Sequence, residues 1–255
     1  MSSHGQWLEP GDLTDAAKFR LFCFPFAGGN ASLYRPWRGR LTRGVEVCPV
    51  LLPGRAARLN EPPLTSLTAL AAAAAEALAP ALDRPFALFG HSMGALVAYE
   101  VARHLEARHL PAPAILYVSA CAAPAPHPAE EHLSALPDAE FLAGLKALGG
   151  TAPGILQHPE LVALLMPMLR ADFTAFDHYV PAPLAPLGCA VVAFAHSEDR
   201  HATARDMSGW GAFSAGRFRL NTIPGGHFFL KPAEELLLRH LDRDLGPLAQ
   251  RGVGL

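Results

Sequence analysis

The sequence predicts an α/β protein with a mostly parallel central sheet, flanking helices and one all-helical insertion. Three observations carry that reading. Short apolar runs bounded by Gly or Pro alternate with longer amphipathic stretches. Several of those runs are apolar at nearly every position, as strands covered on both faces are. From Pro128 to Tyr179 the alternation stops and only helical spacing remains.

Taken in order, the strand candidates are Arg20–Phe26, Val45–Leu51, Phe86–Phe89, Ala114–Ser119, Cys189–Ala195 and Arg217–Ile223. Helix candidates are Ser32–Leu41, Leu67–Leu82, Met93–Ala107, Thr203–Phe213 and Ala233–Arg243, with "GPLAQRGVGL" as a frayed tail. Within the insertion, "LPDAEFLAGLKALGG" and "HPELVALLMPMLRADFTAFDHYV" both have helical spacing, the first closed by Gly149 as a C-cap. Residues 128–179 therefore read as a helical lid subdomain within a single domain spanning 1–255, placed over the sheet's carboxyl edge, where open α/β sheets put their sites. Pro167 inside the second lid helix suggests a kink or hinge. Most of its apolar residues, Leu161, Leu164, Leu165, Met168, Leu169, Phe173 and Phe176, are expected to pack the lid onto the core, the alternative being an acyl channel.

The 255 residues, 51% of them hydrophobic, suffice for one large core. Lys and Arg number 21 against 23 Asp and Glu, a net charge of −2 without a long basic run, which argues against nucleic acid as a partner. Arginines at 35, 38, 40, 43, 55 and 58 form the one basic concentration, read either as a solvated face or as a surface for an acidic partner. The N-terminal "MSSHGQWLEPGDLTDAAK" does not read as a secretory signal. "LTALAAAAAEALAPAL" is too short and too interrupted to span a bilayer, so no membrane and a cytoplasmic location are expected. Cys23, Cys48, Cys121 and Cys189 lack C-x-x-C spacing and read as buried free thiols. No His, Cys and carboxylate set has metal-ligand spacing, so no metal is expected.

Chemistry enters at Gly90-His91-Ser92-Met93-Gly94, a G-x-S-x-G with a strand before it and a helix after it. That context presents a serine hydroxyl on a strained turn at a helix N-terminus, where the flanking glycines admit close backbone. A serine needs a base to take its proton and an acid to orient the base, in the chain order Ser, Asp or Glu, His. His227, after the last strand and two glycines, is the candidate base. His196 and His201 flank the acid loop, while His127, His132, His158 and His178 fall in or beside the lid, where exposed or core roles are expected. "AHSEDRHATARD" offers Glu198, Asp199 and Asp206; Asp199 is favoured on the loop, Glu198 is its competitor, and Asp206 falls in the next helix. Asp172 and Asp177 are set aside because they lie on the lid, a poor place for catalytic geometry. The Phe24–Gly29 segment, "FPFAGG", carries neither a Walker nor a dinucleotide glycine pattern, which weakens a phosphate-binding reading.

With "GHSMG", "FPFAGG", Pro53-Gly54-Arg55 and "PGGHFFL" in this order and spacing, the chain resembles the type II thioesterases, discrete α/β-hydrolases of polyketide and nonribosomal peptide assembly lines. The similarity runs from Phe22 to about Leu230 and includes the lid segments. It implies an editing enzyme that hydrolyses aberrant or stalled acyl groups from the phosphopantetheine arm of acyl or peptidyl carrier proteins. Contact with the carrier would be transient, the enzyme a monomer, and no cofactor would be its own. Carried over by motif, the triad falls on Ser92, Asp199 and His227, and the oxyanion-hole amides on Met93 and on Ala27 or Phe26. Two departures stand out: the acid loop reads Ala195-His196-Ser197-Glu198-Asp199-Arg200 in place of a Gly-x-x-x-Asp-Pro form, and Ala56-Ala57-Arg58 follows Pro-Gly-Arg where an acidic residue is usual. A chain-releasing thioesterase or general carboxylesterase would share the triad; a non-catalytic module would not need it.

Overall fold

The computed structural model describes residues 4–9, 11, 13–126, 132–149, 157–183, 185–228 and 233–251. His127, the first residues assigned to the lid, Phe229, Leu230 and the last four residues of the tail lie outside that set.

Six strands form one sheet: β1 Phe19–Phe24, β2 Val45–Pro49, β3 Phe86–His91, β4 Ile115–Ser119, β5 Ala190–His196 and β6 Phe218–Ile223. All five pairings are parallel, in the order β2-β1-β3-β4-β5-β6. β1 and β3 are fully buried, which explains why they are apolar apart from Arg20 in β1 and His91 at the end of β3. After β1 the chain adds β2 on one side and then returns to add β3 on the other. The point where direction reverses is thus the seam between β1 and β3, with Phe24 paired to Gly90. Open parallel sheets place their crevice at such a seam.

The helices, in chain order, are α1 His4–Trp7, α2 Leu67–Leu78, α3 Met93–Ala107, α4 Asp138–Leu148, α5 Pro159–Asp177, α6 Ala204–Ser208 and α7 Glu234–Arg251. One face of the sheet packs on α2 and α3 through Leu70, Ala74, Leu96, Val97 and Val101. The other packs on Leu237, Leu238, Leu241 and Leu245 of α7 and on Tyr34 and Trp37. Burying each such large side chain contributes roughly 1.5–3 kcal/mol. Both core faces are therefore closed, and only the strand ends are free to build a site. Among the described residues no helix is long and apolar enough to cross a membrane.

Four helical segments differ from the sequence expectation, one being Leu67–Leu82, which ends as an α-helix at Leu78 and passes into a 3-10 turn, Ala79–Ala81, at Pro80. Ser32–Leu41 is not a helix but two 3-10 turns, Ala31–Leu33 and Arg35–Trp37, because Pro36 and Gly39 interrupt the spacing and burial of Tyr34 and Trp37 decides the path. Thr203–Phe213 divides into α6 and a 3-10 turn starting at Gly209. The tail, expected to fray from Gly246, instead continues α7 to Arg251 through Pro247, since Leu245 and Ala249 on that last stretch are buried.

Between β4 and β5 the described elements are helical. Gly149, at φ +80°, closes α4 in the left-handed conformation a C-cap needs. Phe141 and Leu145 of α4 pack on Met168, Leu169 and Phe173 of α5, and Ala27 joins this small cluster from below. The two ends of α5 differ. Leu161 and Leu164 are 43% and 52% exposed, whereas Met168, Leu169, Ala171, Asp172, Phe173, Ala175 and Asp177 are buried. Pro167 lies at that transition, and the helix runs through it.

The basic concentration proves to be largely neutralised. Arg35 and Arg38 pair with Glu9, Arg40 with Glu234 and Glu235, and Arg58 with Glu61. Arg55 and Arg58 are buried outright.

Candidate active site

β3 ends in a turn that the sequence builds for one purpose. Ser92 has φ 54° and ψ −126°, a conformation that L-residues rarely adopt and that the surrounding fold must enforce. Two glycines allow it. A Cβ on Gly90 would lie 2.1 Å from the Gly94 carbonyl oxygen, and one on Gly94 would lie 2.2 Å from that of Phe24. The turn is therefore pressed against its own helix and against the end of β1. Ser92 stands at the N-terminus of α3, where the helix dipole favours a developing negative charge.

His227 follows β6 and Asp199 follows β5, so both come from strand ends at the same edge. The Ser92 hydroxyl lies 3.1 Å from His227 Nε2, and His227 Nδ1 lies 2.8 Å from Asp199 Oδ2. The other carboxylate oxygen, Oδ1, accepts the backbone N–H groups of His201 and Ala202 at 2.8 and 3.2 Å. Burial pushes the Asp199 carboxyl up, but the His227 hydrogen bond and charge together with those two amides outweigh it, and the net shift is downward. The carboxylate is thereby kept ionised, with its side chain fully shielded while that of His227 retains 14% exposure.

The competing acids go elsewhere. Glu198 is exposed, with its N–H on the Gly225 carbonyl. Asp206 closes a capping box with Thr203 at the start of α6. Asp177 accepts the Ser134 N–H. Of the histidines, His201 lies beside His227 with ring centroids 5.9 Å apart, and His132 lies against His178, the residue that follows α5. Burial pushes the Cys121 thiol up to about 12 and that of Cys189 up to about 11, so neither offers a competing thiolate at neutral pH.

The loop after β1 forms the facing wall. Gly28 donates its N–H to Asp172 and Gly29 donates its own to the Phe26 carbonyl, which leaves Phe26 and Ala27 as the loop amides not committed among the described hydrogen bonds. The Phe26 ring packs edge-on against Phe228 and His91.

Comparison with known proteins matches residues 19–245 to the thioesterase domain family. The chain belongs to that family. Relatives agree over nearly the full length. The structure of RedJ, a thioesterase of prodiginine biosynthesis in Streptomyces coelicolor, shares 40% identity over 90% of this chain and 91% of its own, with a TM-score of 0.85. YbtT, a type II thioesterase of the yersiniabactin pathway, shares 36% over 92% of this chain and 96% of its own, with a TM-score of 0.79. A protein of Brevibacillus parabrevis named linear gramicidin dehydrogenase LgrE is 40% identical over 99% of this chain and 98% of its own. That name sits beside a β1 loop which, in this thioesterase, lacks the spaced glycines of a dinucleotide turn.

Behind the Ser92 turn of this thioesterase lies a polar network that the sequence does not single out. His91 Nδ1 is 3.1 Å from the Ser119 hydroxyl, which is 3.3 Å from His196 Nε2. Both rings are buried, His91 at 0% and His196 at 2% exposure. Burial depresses the basicity of both: His91 falls well below its ordinary value and His196 to about 4. They are neutral at pH 7, so they add no positive charge behind His227, whose ring centroid is 5.6 Å from that of His91. His91 adjoins the motif serine, but the hydroxyl and the second ring that complete the network come from β4 and β5, and nothing in the local sequence announces them.

The second unannounced feature is Asp172, set aside as a lid residue. Its carboxylate is 1% exposed, forms a two-pronged ion pair with Arg55 and accepts the Gly28 N–H. Helix α5 is thus bonded directly to the loop beside Ser92.

Proposed function

We propose that this thioesterase is an editing enzyme that removes aberrant or stalled acyl groups from the phosphopantetheine arm of carrier proteins in a polyketide or nonribosomal peptide assembly line. What carries the proposal is the hydrogen-bonded series Ser92, His227, Asp199, held at a strained elbow opposite the β1 loop in a chain of the thioesterase family. The similarity in length and sequence to YbtT, a type II thioesterase of the nonribosomal peptide and polyketide pathway to yersiniabactin, supports the choice of substrate.

His227 takes the Ser92 proton as the hydroxyl attacks the thioester carbonyl, and Asp199 orients and stabilises the imidazolium. The departing thiol has an ordinary pKa near 8.5, so it needs little protonation to leave. Water activated by the same histidine then hydrolyses the acyl-enzyme. Stabilisation of the tetrahedral oxyanion falls to the N–H groups of Met93 and of Ala27 or Phe26, each donor being worth about 3–4 kcal/mol. No cofactor is required, because the phosphopantetheine belongs to the substrate. The carrier contact is brief, the enzyme acts as a monomer in the cytoplasm, and the segment 128–179 serves as its lid.

The test is turnover of a panel of acyl-carrier thioesters and of matched oxygen esters by the wild type and Ser92→Ala. The wild type is expected to prefer the carrier thioesters, and the variant to lose at least about a thousandfold. Equal rates for the two enzymes would refute the mechanism, and a preference for oxygen esters would move the activity to a general carboxylesterase.

A further inference from the structure

We infer that Asp172 and Arg55 are positioning residues that hold the loop Phe26–Gly29 in its oxyanion-binding shape, so that the inner half of lid helix α5 takes part in the geometry of the reaction. The inference rests on the acyl-transfer reading of Ser92. Asp172 Oδ2 accepts the Gly28 N–H at 2.7 Å and Arg55 Nη1 at 2.8 Å, while Oδ1 accepts Arg55 Nη2 at 2.6 Å. The same Nη1 also donates to the Gly29 carbonyl at 3.0 Å, and Nε donates to that of Pro53 at 3.3 Å. The pair therefore grips the loop by an N–H and by a carbonyl, immediately after the amides proposed as donors.

Packing fixes the same segment from above. Gly28 has φ +79°, and a Cβ there would lie 2.6 Å from Leu169 Cδ2 on α5. Gly28 thus has its N–H held by α5 and the place of its missing side chain taken by Leu169 of the same helix. Without an acceptor at Asp172 that N–H would be free to swing toward the site, taking the peptide planes of Phe26 and Ala27 with it. Arg55 supplies the second requirement. A lone carboxylate one hydrogen bond from an oxyanion loop would repel the charge that develops there, and the bidentate guanidinium cancels it. Neither residue touches the reacting atoms; both act through the loop.

The test compares wild type, Asp172→Asn, Arg55→Gln, Arg55→Lys and the double variant Arg55→Gln/Asp172→Asn. A p-nitrophenyl ester serves as substrate and an alkyl trifluoromethyl ketone as inhibitor, since the ketone adds to Ser92 and places an oxyanion in the hole. An ester substrate keeps the test independent of the carrier partner, and Ser92→Ala confirms that turnover comes from the serine. Asp172→Asn keeps one acceptor oxygen but sets an amide NH2 against the Arg55 fork, so oxygen and donors no longer match and the grip on Gly28 slips; loss of loop register by about an ångström is expected to lower kcat about a hundredfold, with KM within threefold. The ketone's Ki should rise in proportion to the fall in kcat/KM. Arg55→Gln, which leaves the carboxylate uncompensated, should fall further than the double variant, which removes both charges. Folded fraction is read by circular dichroism; should Asp172→Asn fail to fold, Arg55→Lys, which keeps the charge without the fork, carries the same expectation. Unchanged kcat and Ki in folded variants would overturn the inference. So would activity falling only with the folded fraction while Ki stays at the wild-type value.

Discussion

Replacing Gly94 by alanine puts a methyl group where the end of β1 already is. The new Cβ would lie 2.2 Å from the Phe24 carbonyl oxygen, 2.6 Å from that of Pro25 and 2.7 Å from the Phe24 carbonyl carbon. Ordinary carbon–oxygen contacts lie near 3.3 Å, so α3 and the β1 loop must separate by roughly 1 Å. All three obstacles are backbone, and no side chain can rotate away to relieve them. Ser92 rides on one of the separating parts, and Phe26 and Ala27 ride on the other. A misplacement of that size costs about a hundredfold in rate. Overpacking costs about 1–3 kcal/mol, offset by up to about 1 kcal/mol from the better helix propensity of alanine. At about 2–4 °C per kcal/mol for a domain of this size, Tm should fall by no more than about 12 °C. The assay is release of free thiol from an acyl-pantetheine thioester, followed with a thiol-reactive dye beside a thermal melt. The expected pattern is a variant folded at 25 °C whose kcat is depressed far more than its KM. A kcat within threefold of wild type at an unchanged Tm would show that the nucleophile turn and the β1 loop are not held in register as argued.

Two further outcomes follow from the same geometry. Asp199→Asn should lose about 10⁴-fold in kcat, because an amide cannot hold His227 in the tautomer that accepts the serine proton, whereas Glu198→Gln should stay within threefold; the reverse pattern in steady-state turnover would move the acid to Glu198. For stability, His196 is held down at about 4 against an ordinary value of 6.5, so only the unfolded chain gains that proton between the two. The penalty is absent above pH 6.5, grows as pH falls and saturates near pH 4, reaching about 3 kcal/mol. His91, depressed by the same burial, acts in the same direction, while the stabilisation from the lowered Asp199 carboxyl persists throughout that window. His196→Asn should therefore flatten the dependence of Tm on pH between 6.5 and 4, and parallel curves for variant and wild type would contradict the account.

The middle of the sheet was legible because its strands are buried on both faces, which forces largely apolar runs that neither a half-solvated strand nor a surface helix would carry, whereas the edge strand β6, FRLNTI, is only partly buried. Ser92, Asp199 and His227 were each placed by the strand that ends before them, a rule that needs no knowledge of side-chain contacts. Where breakers and burial competed, the sequence misled in both directions. Pro36 and Gly39 did dissolve a helix at 32–41, yet Gly246 and Pro247 did not stop α7, whose Leu245 and Ala249 remain in the core. Arg55 and Asp172 were least legible of all. A buried pair joining positions 117 residues apart has no local pattern, and an arginine near other arginines looks like surface until its partner is seen. Mobility disqualifies a lid residue from holding geometry only where the lid is free of the core. Asp172 sits in the half of α5 after Pro167, which is buried and bonded to the loop, whereas the exposed Leu161 and Leu164 lie before it.

The strand order has a bearing on biosynthesis of the enzyme itself. Nucleophile, β1 loop and Asp172 all precede β5, but the base arrives only with the turn after β6, the outermost strand, paired on one side alone. On the proposed mechanism, Ser92 has no general base until that strand docks. A chain that stops short of β6 would thus lack the histidine on which the proposed hydrolysis depends, whatever else of the sheet had already formed.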